Sequence, residues 1–315
     1  MMHDLLKKVC MVVCVALLAM GRSYAESESC AQQVFKSMQQ LSHSVVQDGF
    51  TVWYATQGEH ALTKIEDLNS NGIPDRIDDL LLQLIAAKNF YSNVLHLVHP
   101  LQQARYDSAE TIHIFVLSMK KGNGLAFHEA VQLRPSRLEA PEPCGLRIYI
   151  NNQLDASRNL TPAHELFHLY QYGYVMFKRS WYLEGMARLV ETAFAGPNRL
   201  GRYMHSLDES VPCDAVMEES YSAVRYWWGL ANRHEKTRIV VPTSLRSLRY
   251  SNGVPVFSGH EFMHGEIILK ALEELEHLSE ITSQRLGLPR YRWPTRVQGA
   301  NDFDSSMCDA LETIF

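Results

Sequence analysis

The chain has 315 residues, with 30 Lys and Arg against 35 Asp and Glu, a net charge of −5 with histidine neutral. An acidic balance without a basic tract argues against a nucleic-acid partner, and the 46% hydrophobic content is ordinary for a globular protein. This length can bury a substantial core, as one large domain or two lobes.

The first residues read as an export signal. Lys7 and Lys8 precede an apolar run from Val9 to Met20, and Ser23-Tyr24-Ala25 supplies the small residues of a cleavage site, so residues 1–25 are expected to be removed. The run is short for a membrane span, which needs about 20 apolar residues. Cys30 has no lipoprotein setting, and no later stretch is long and apolar enough to cross a membrane. A periplasmic or extracellular protein without a stable membrane anchor is the expectation. Cleavage takes away Lys7, Lys8, Arg22 and Asp4, leaving 27 basic and 34 acidic residues and a net charge of −7. Cys30, Cys144, Cys213 and Cys308 remain, enough for up to two disulfides in an oxidising compartment. Three connectivities are open.

Residues 30–47 carry Val34, Met38, Leu41 and Val45 at helix-like spacing, and Phe50-Thr51-Val52-Trp53-Tyr54 follows as a strand. Ile77 to His96 reads as a long helix with Leu80, Leu81, Leu84, Ala87 and Tyr91 on its apolar side. Thr111–Leu117 looks like a buried strand, broken by Lys121-Gly122-Asn123-Gly124, and Leu146–Ile150 is a second strand. Beyond it the chain is mainly helical, over 162–176, 181–194, 215–234, 260–279 and 305–314. Thr161 is the expected N-cap of the first of these, with Pro162 in its first turn. The fold expected is α+β, a strand-containing N-terminal lobe and a mainly helical C-terminal lobe. By domain, residues 26–108 form an N-terminal region and 109–315 the main domain.

His164-Glu165-Leu166-Phe167-His168 lies on the first of those helices. Residues four apart project from one face of a helix, so the pair offers two zinc ligands with Glu165 beside them as a general base. Hydrolytic zinc commonly takes a third protein ligand and keeps one position open. Glu184, separated from His168 by 15 residues, sits on the next helix and supplies it. Gly185 and Ala187 would let that helix approach closely. The competing reading is an ordinary helix with an exposed Glu184–Arg188 pair. The pentapeptide pattern recurs at His260-Glu261-Phe262-Met263-His264. There Ser258 and Glu261 form a capping box, and His264 shares a face with Ile267, Ile268, Ala271 and Leu275, so this copy is expected to be structural.

His164-Glu165-x-x-His168 followed by Trp181-x-x-Glu184-Gly185-x-Ala187-x-x-x-Glu191 resembles the gluzincin zinc metallopeptidases, and its second segment is similar to the matching helix of gluzincin aminopeptidases. The resemblance implies a zincin-like fold, zinc held by His164, His168 and Glu184, and Glu165 activating the attacking water. The spacing is shorter than in those aminopeptidases. Arg188 stands where thermolysin-like enzymes carry an acid four residues after the third ligand, which leaves Glu191 as the carboxylate that supports the ligands. The Gly-x-Met-Glu-Asn motif is missing, so aminopeptidase specificity does not carry over. Tyr221, where related enzymes carry a tyrosine, is a candidate donor to the oxyanion; packing in the core with Tyr226, Trp227 and Trp228 is the other reading. Leu146–Ile150 is the candidate edge for pairing with an extended peptide.

Upstream, Asp67, Asn69, Asn71, Asp75 and Asp78 place oxygens at positions 1, 3, 5, 9 and 12 of a loop with Gly72 at position 6. Calcium loops use this spacing, with the carbonyl of Ile73 at position 7; an Asx-rich structural turn is the alternative. Loop and helices together resemble a group of exported bacterial metallopeptidase-like proteins over much of residues 50–230. The expected function is zinc-dependent hydrolysis of a peptide or protein, with Ca2+ as a structural ion. The alternative is a non-catalytic exported module that keeps the metal or binds protein.

Overall fold

The computed structural model describes residues 30–194, 211–234, 238–257, 259–263 and 265–313. The expected export signal lies outside them, as do Ser258 and His264 of the second His-Glu-x-x-His copy. Six strands form one mixed sheet: Ala31–Val34 (β1), His43–Gln47 (β2), Phe50–Tyr54 (β3), Thr111–Leu117 (β4), Gly124–Arg134 (β5) and Gly145–Asn151 (β6), in the order β1-β5-β6-β4-β3-β2. β3, β4 and β6 are mutually parallel, and β5 returns antiparallel to β6. β4 is buried along its whole length because both faces of the sheet are covered there. Ile112, Ile114 and Val116 point into the main core, while Phe115 and Leu117 join a smaller cluster with Met38, Leu41, Val131 and Leu133, as the two-residue period of a strand requires.

The helices are Asp75–Asn89 (α1), Thr161–Tyr174 (α2), Ser180–Glu191 (α3), Val224–His234 (α4), Gly265–Leu286 (α5) and Asp304–Thr313 (α6). The class is α+β, a sheet-rich N-terminal part followed by a mainly helical region. α2 packs against β5, β6, α1, α3 and α5, which is why nearly all its residues are buried and its sequence is apolar almost all round. Strands from both sides of residue 108 share the sheet. The cysteines pair as Cys30–Cys144 and Cys213–Cys308, which fits an oxidising, exported location. Among the described residues no helix is long and apolar enough to cross a membrane.

Several elements differ from the sequence expectation. Residues 30–47 are not helical: β1, a 3₁₀ turn at Lys36–Gln40 and β2 divide them, because β5 and β3 offer backbone partners to a segment too polar to hold a helix by packing. The helix expected over 215–234 is confined to α4. Before it come 3₁₀ turns at Cys213–Val216 and Tyr221–Ala223, the first held by the disulfide to α6. Glu261 starts no helix: Glu261–Phe262 pairs as a short strand with Ile239–Val240, Glu261 takes Arg238 at 2.9 Å, and α5 begins at Gly265. Leu146–Ile150 is not an edge, since β4 and β5 flank it. Besides the outermost strands β1 and β2, β5 has an open side, because β1 pairs only with Val131–Arg134 and, among the described residues, the first half of β5 has no outer neighbour.

Candidate metal centre

The first turn of α2 is fixed by side chains on both sides of it. Thr161 is not the cap. Asn159 Oδ1 accepts the Thr161 N–H at 2.9 Å and its hydroxyl at 2.7 Å. Gln83, fully buried on α1, accepts the Ala163 N–H at 3.1 Å and donates to the Ala156 and Asn159 carbonyls at 2.8 and 3.1 Å. These partners satisfy donors that a helix start leaves free.

One turn later the two histidines meet α3. His164 Nε2 lies 3.0 Å from Glu184 Oε2, and His168 Nε2 lies 3.5 Å from Glu184 Oε1. The far side of each ring is held as well. Glu191 Oε1 takes His164 Nδ1 at 2.7 Å, and Gln171 Oε1 takes His168 Nδ1 at 2.8 Å. In each ring Nδ1 faces an oxygen acceptor and Nε2 is turned toward Glu184, the orientation in which metal-binding histidines are held. Among the described residues, His164, His168 and Glu184 are the group of three whose donor atoms lie within 4.8 Å of one another. Ligand atoms on a tetrahedral zinc with bonds of about 2.0–2.1 Å stand roughly 3.3 Å apart, a value that the observed 3.0 and 3.5 Å bracket. Two imidazoles and a carboxylate suit zinc among several first-row divalent ions. The residues therefore fit a metal ion.

Burial alone would lower the His164 pKa, but its hydrogen bonds to Glu184 and Glu191 push it up to about 10. Burial likewise works against ionising Glu184 and Glu191. The two histidines nevertheless hold Glu184 far below the usual carboxylate range, and His164 and Arg188 hold Glu191 low.

Glu165 is 8% exposed. Burial raises its pKa, an effect that the neighbouring His168 and His164 and the Ala126 N–H of β5 oppose. It lies in the wall of a cavity of about 450 Å³, with His164, Glu191, Arg188, Arg158, Thr161, Gly124 and Tyr221 among the lining residues. Gly124 is glycine for a steric reason: a Cβ there would stand 2.4 Å from Thr161 Cγ2 and 2.6 Å from Glu165 Cγ. Tyr221 is not in the core. It is 43% exposed, its ring centroid is 5.9 Å from that of His164, and the Arg188 guanidinium lies 4.6 Å above it. Burial and then Glu184 push its hydroxyl up to about 12. Tyr226 and Trp227 are fully buried, as their aromatic run suggests.

Arg188 does not pair with Glu184; its Nη1 reaches Glu191 Oε2 at 2.6 Å, and together they brace His164. Gly185 admits a different neighbour from the one expected. A Cβ there would meet Trp227 Cδ1 at 2.8 Å and Ala223 at 3.0 Å, so it lets α4, not α2, close on α3. Gln171 and Asp304 escaped the sequence reading. Gln171 links His168 to α3 by donating to the Leu183 carbonyl at 3.2 Å, and its spacing of three from His168 is the signal for it. Asp304, on α6, accepts Trp181 Nε1 at 2.7 Å and Arg179 Nε at 2.8 Å. The tryptophan three residues before Glu184 is thereby anchored to the C-terminal helix, a contact that no local pattern announces.

The Asp67–Asp78 loop is closed by its own side chains. Asp67 accepts the Asn71 and Gly72 N–H groups at 3.1 and 2.8 Å. Asn69 and Asn71 both donate to Asp78 Oδ2, at 3.0 and 2.9 Å. Asn71 Oδ1 accepts from the Ile73 N–H at 2.8 Å, while Asp75 turns back to the Leu68 N–H at 3.1 Å. Gly72 holds φ +84. Positions 1, 3, 5 and 12 thus converge, as an internally bonded Asx turn. No family model, curated protein or solved structure matches the chain.

Proposed function

We propose that this protein is an exported zinc-dependent peptide hydrolase of the gluzincin kind. One observation carries the reading: His164 and His168 present Nε2 to Glu184 while Glu191 and Gln171 hold their Nδ1 atoms, and buried Glu165 stands beside them on an open cavity. His164, His168 and Glu184 would hold a zinc ion, which would supply a Lewis acid to polarise a carbonyl and acidify water. Glu165 takes the proton of the attacking water and passes it to the leaving amine, a role its raised pKa favours. The Tyr221 hydroxyl, protonated throughout the neutral range, donates to the developing oxyanion. Arg188 pairs with Glu191 and so helps to hold it where it orients His164. The open side of β5, which begins at the cavity wall, suits pairing with an extended peptide.

Metal analysis of the purified protein and hydrolysis of a mixed peptide library test this. Glu165→Gln is expected to retain the metal and lose hydrolysis, and His168→Ala to lose both. Full activity of Glu165→Gln overturns the assignment, and bound metal without hydrolysis of any peptide turns the reading to a binding module. A structural Ca2+ in the Asp67–Asp78 loop belongs to the same proposal, supported by the convergence of Asp67, Asn69, Asn71 and Asp78. Calcium is expected to raise the melting temperature of the wild type and not that of Asp67→Asn/Asp78→Asn.

A further inference from the structure

The cavity over Glu165 has one charge that the metal centre does not use. Its acids are engaged, Glu191 by His164 and Arg188 and Glu165 by the Ala126 N–H and the histidines. Of its two arginines, Arg188 is paired with Glu191 and lies over Tyr221. Arg158 is exposed, three residues before α2 begins, and lines the cavity beside Asn159, Leu160 and Thr161. It forms no ion pair with another described residue. It is felt electrostatically by Asp155, whose Oδ1 accepts the Ser157 N–H and hydroxyl at 3.1 and 2.7 Å. Another stretch of the wall, Gly122–Gly124, follows directly on exposed Lys120 and Lys121. In a chain of net charge −5 Arg158 thus puts a positive charge in the cavity wall. Such a charge attracts anions, and a guanidinium presents two parallel N–H donors that match a carboxylate.

We propose that Arg158 binds a carboxylate of the substrate, so that the site selects peptides that place an Asp or Glu side chain, or a free C-terminus, at this end of the cavity. The proposal rests on the peptidase reading for its substrate class. Paired peptides test it: Glu against Gln and Asp against Asn at each position, each with a free and an amidated C-terminus, cleaved by the zinc-loaded full chain. The ratio of kcat/KM within each pair is expected to favour the carboxylate on the order of fivefold, the scale of an exposed ion pair. Arg158→Gln should bring the ratio to one, Arg158→Lys should keep part of it, and Arg158→Glu should invert it in favour of lysine peptides. An effect confined to the side-chain pairs assigns the acidic residue; one confined to the free and amidated pairs assigns the terminus. No preference in the wild type, or a preference that survives in Arg158→Gln with a native circular dichroism spectrum, overturns the proposal. Fluorescence anisotropy of the same peptides on the Glu165→Gln protein, with and without Arg158→Gln, separates the two readings. Arg158-dependent binding without cleavage by the wild type sinks the peptidase reading and keeps the carboxylate site. Cleavage without charge preference does the reverse.

Discussion

Glu191→Gln is the most discriminating change to the metal centre, because glutamine has the shape of glutamate and half of its acceptors. Glu191 is buried and serves two donors, His164 Nδ1 at 2.7 Å and Arg188 Nη1 at 2.6 Å. An amide has one oxygen. If it faces His164, its NH2 group opposes the Arg188 guanidinium; if it faces Arg188, the NH2 group opposes the His164 N–H. Either way a buried donor is left without an acceptor, which costs about 1–3 kcal/mol. The loss of negative charge also makes His164 a poorer ligand, and changes of this kind lower metal affinity by roughly 10–100-fold. Zinc affinity measured by competition with a chromophoric chelator at neutral pH should fall by that factor. Circular dichroism should remain native, and hydrolysis should recover at saturating zinc in proportion to occupancy. An unchanged affinity in a folded variant refutes the claim that Glu191 holds His164 as a ligand.

Other perturbations read different parts of the structure. Gly124→Ala drives a Cβ to 2.4 Å from Thr161 and 2.6 Å from Glu165; displacing the base by about 1 Å costs on the order of 10²-fold in rate, so kcat/KM should drop sharply while bound metal, measured on the same sample, is retained. Asp304→Asn removes the buried charge that holds Arg179 and Trp181, and denaturant unfolding should report a loss of about 3–5 kcal/mol. His99 gives a pH dependence: burial, and after it Lys88, lower its pKa from 6.5 to about 4. Between those values the unfolded chain takes up a proton that the native protein refuses, so stability is full above 6.5 and declines as the pH falls toward 4, by roughly 3 kcal/mol in all. His99→Asn keeps an acceptor for the Leu101 N–H and should flatten that slope in unfolding curves measured across the range; an unchanged slope rules out His99 as its source.

What can be read from the chain alone is whatever a short stretch decides. The spacing of His164 and His168 puts both on one face of a helix. The β-branched and aromatic run of Thr111–Leu117 marks a buried strand, and Glu184 lies on a helix close enough in sequence to return against the first. Local pattern fails where a backbone partner or a distant side chain makes the choice. Gly124–Leu125–Ala126–Phe127–His128 has no clean alternation; it is a strand because β6 offers it a ladder and because Gly124 alone fits beneath Thr161 and Glu165. Val34, Met38, Leu41 and Val45 keep helical spacing, yet β5 and β3 recruit the segments that bear them.

The division runs through the metal centre too. The chain supplies three donors and a base by spacing. Tertiary packing decides that Glu191 rather than Glu184 takes Arg188, that Gln171 holds the second histidine, that Asp304 steadies Trp181 from the far end of the chain, and that Cys30 pairs with Cys144 and Cys213 with Cys308. Helix periodicity repeats over a few residues and is therefore written locally, whereas a buried hydrogen bond between elements a hundred residues apart depends on the shape of the closed core.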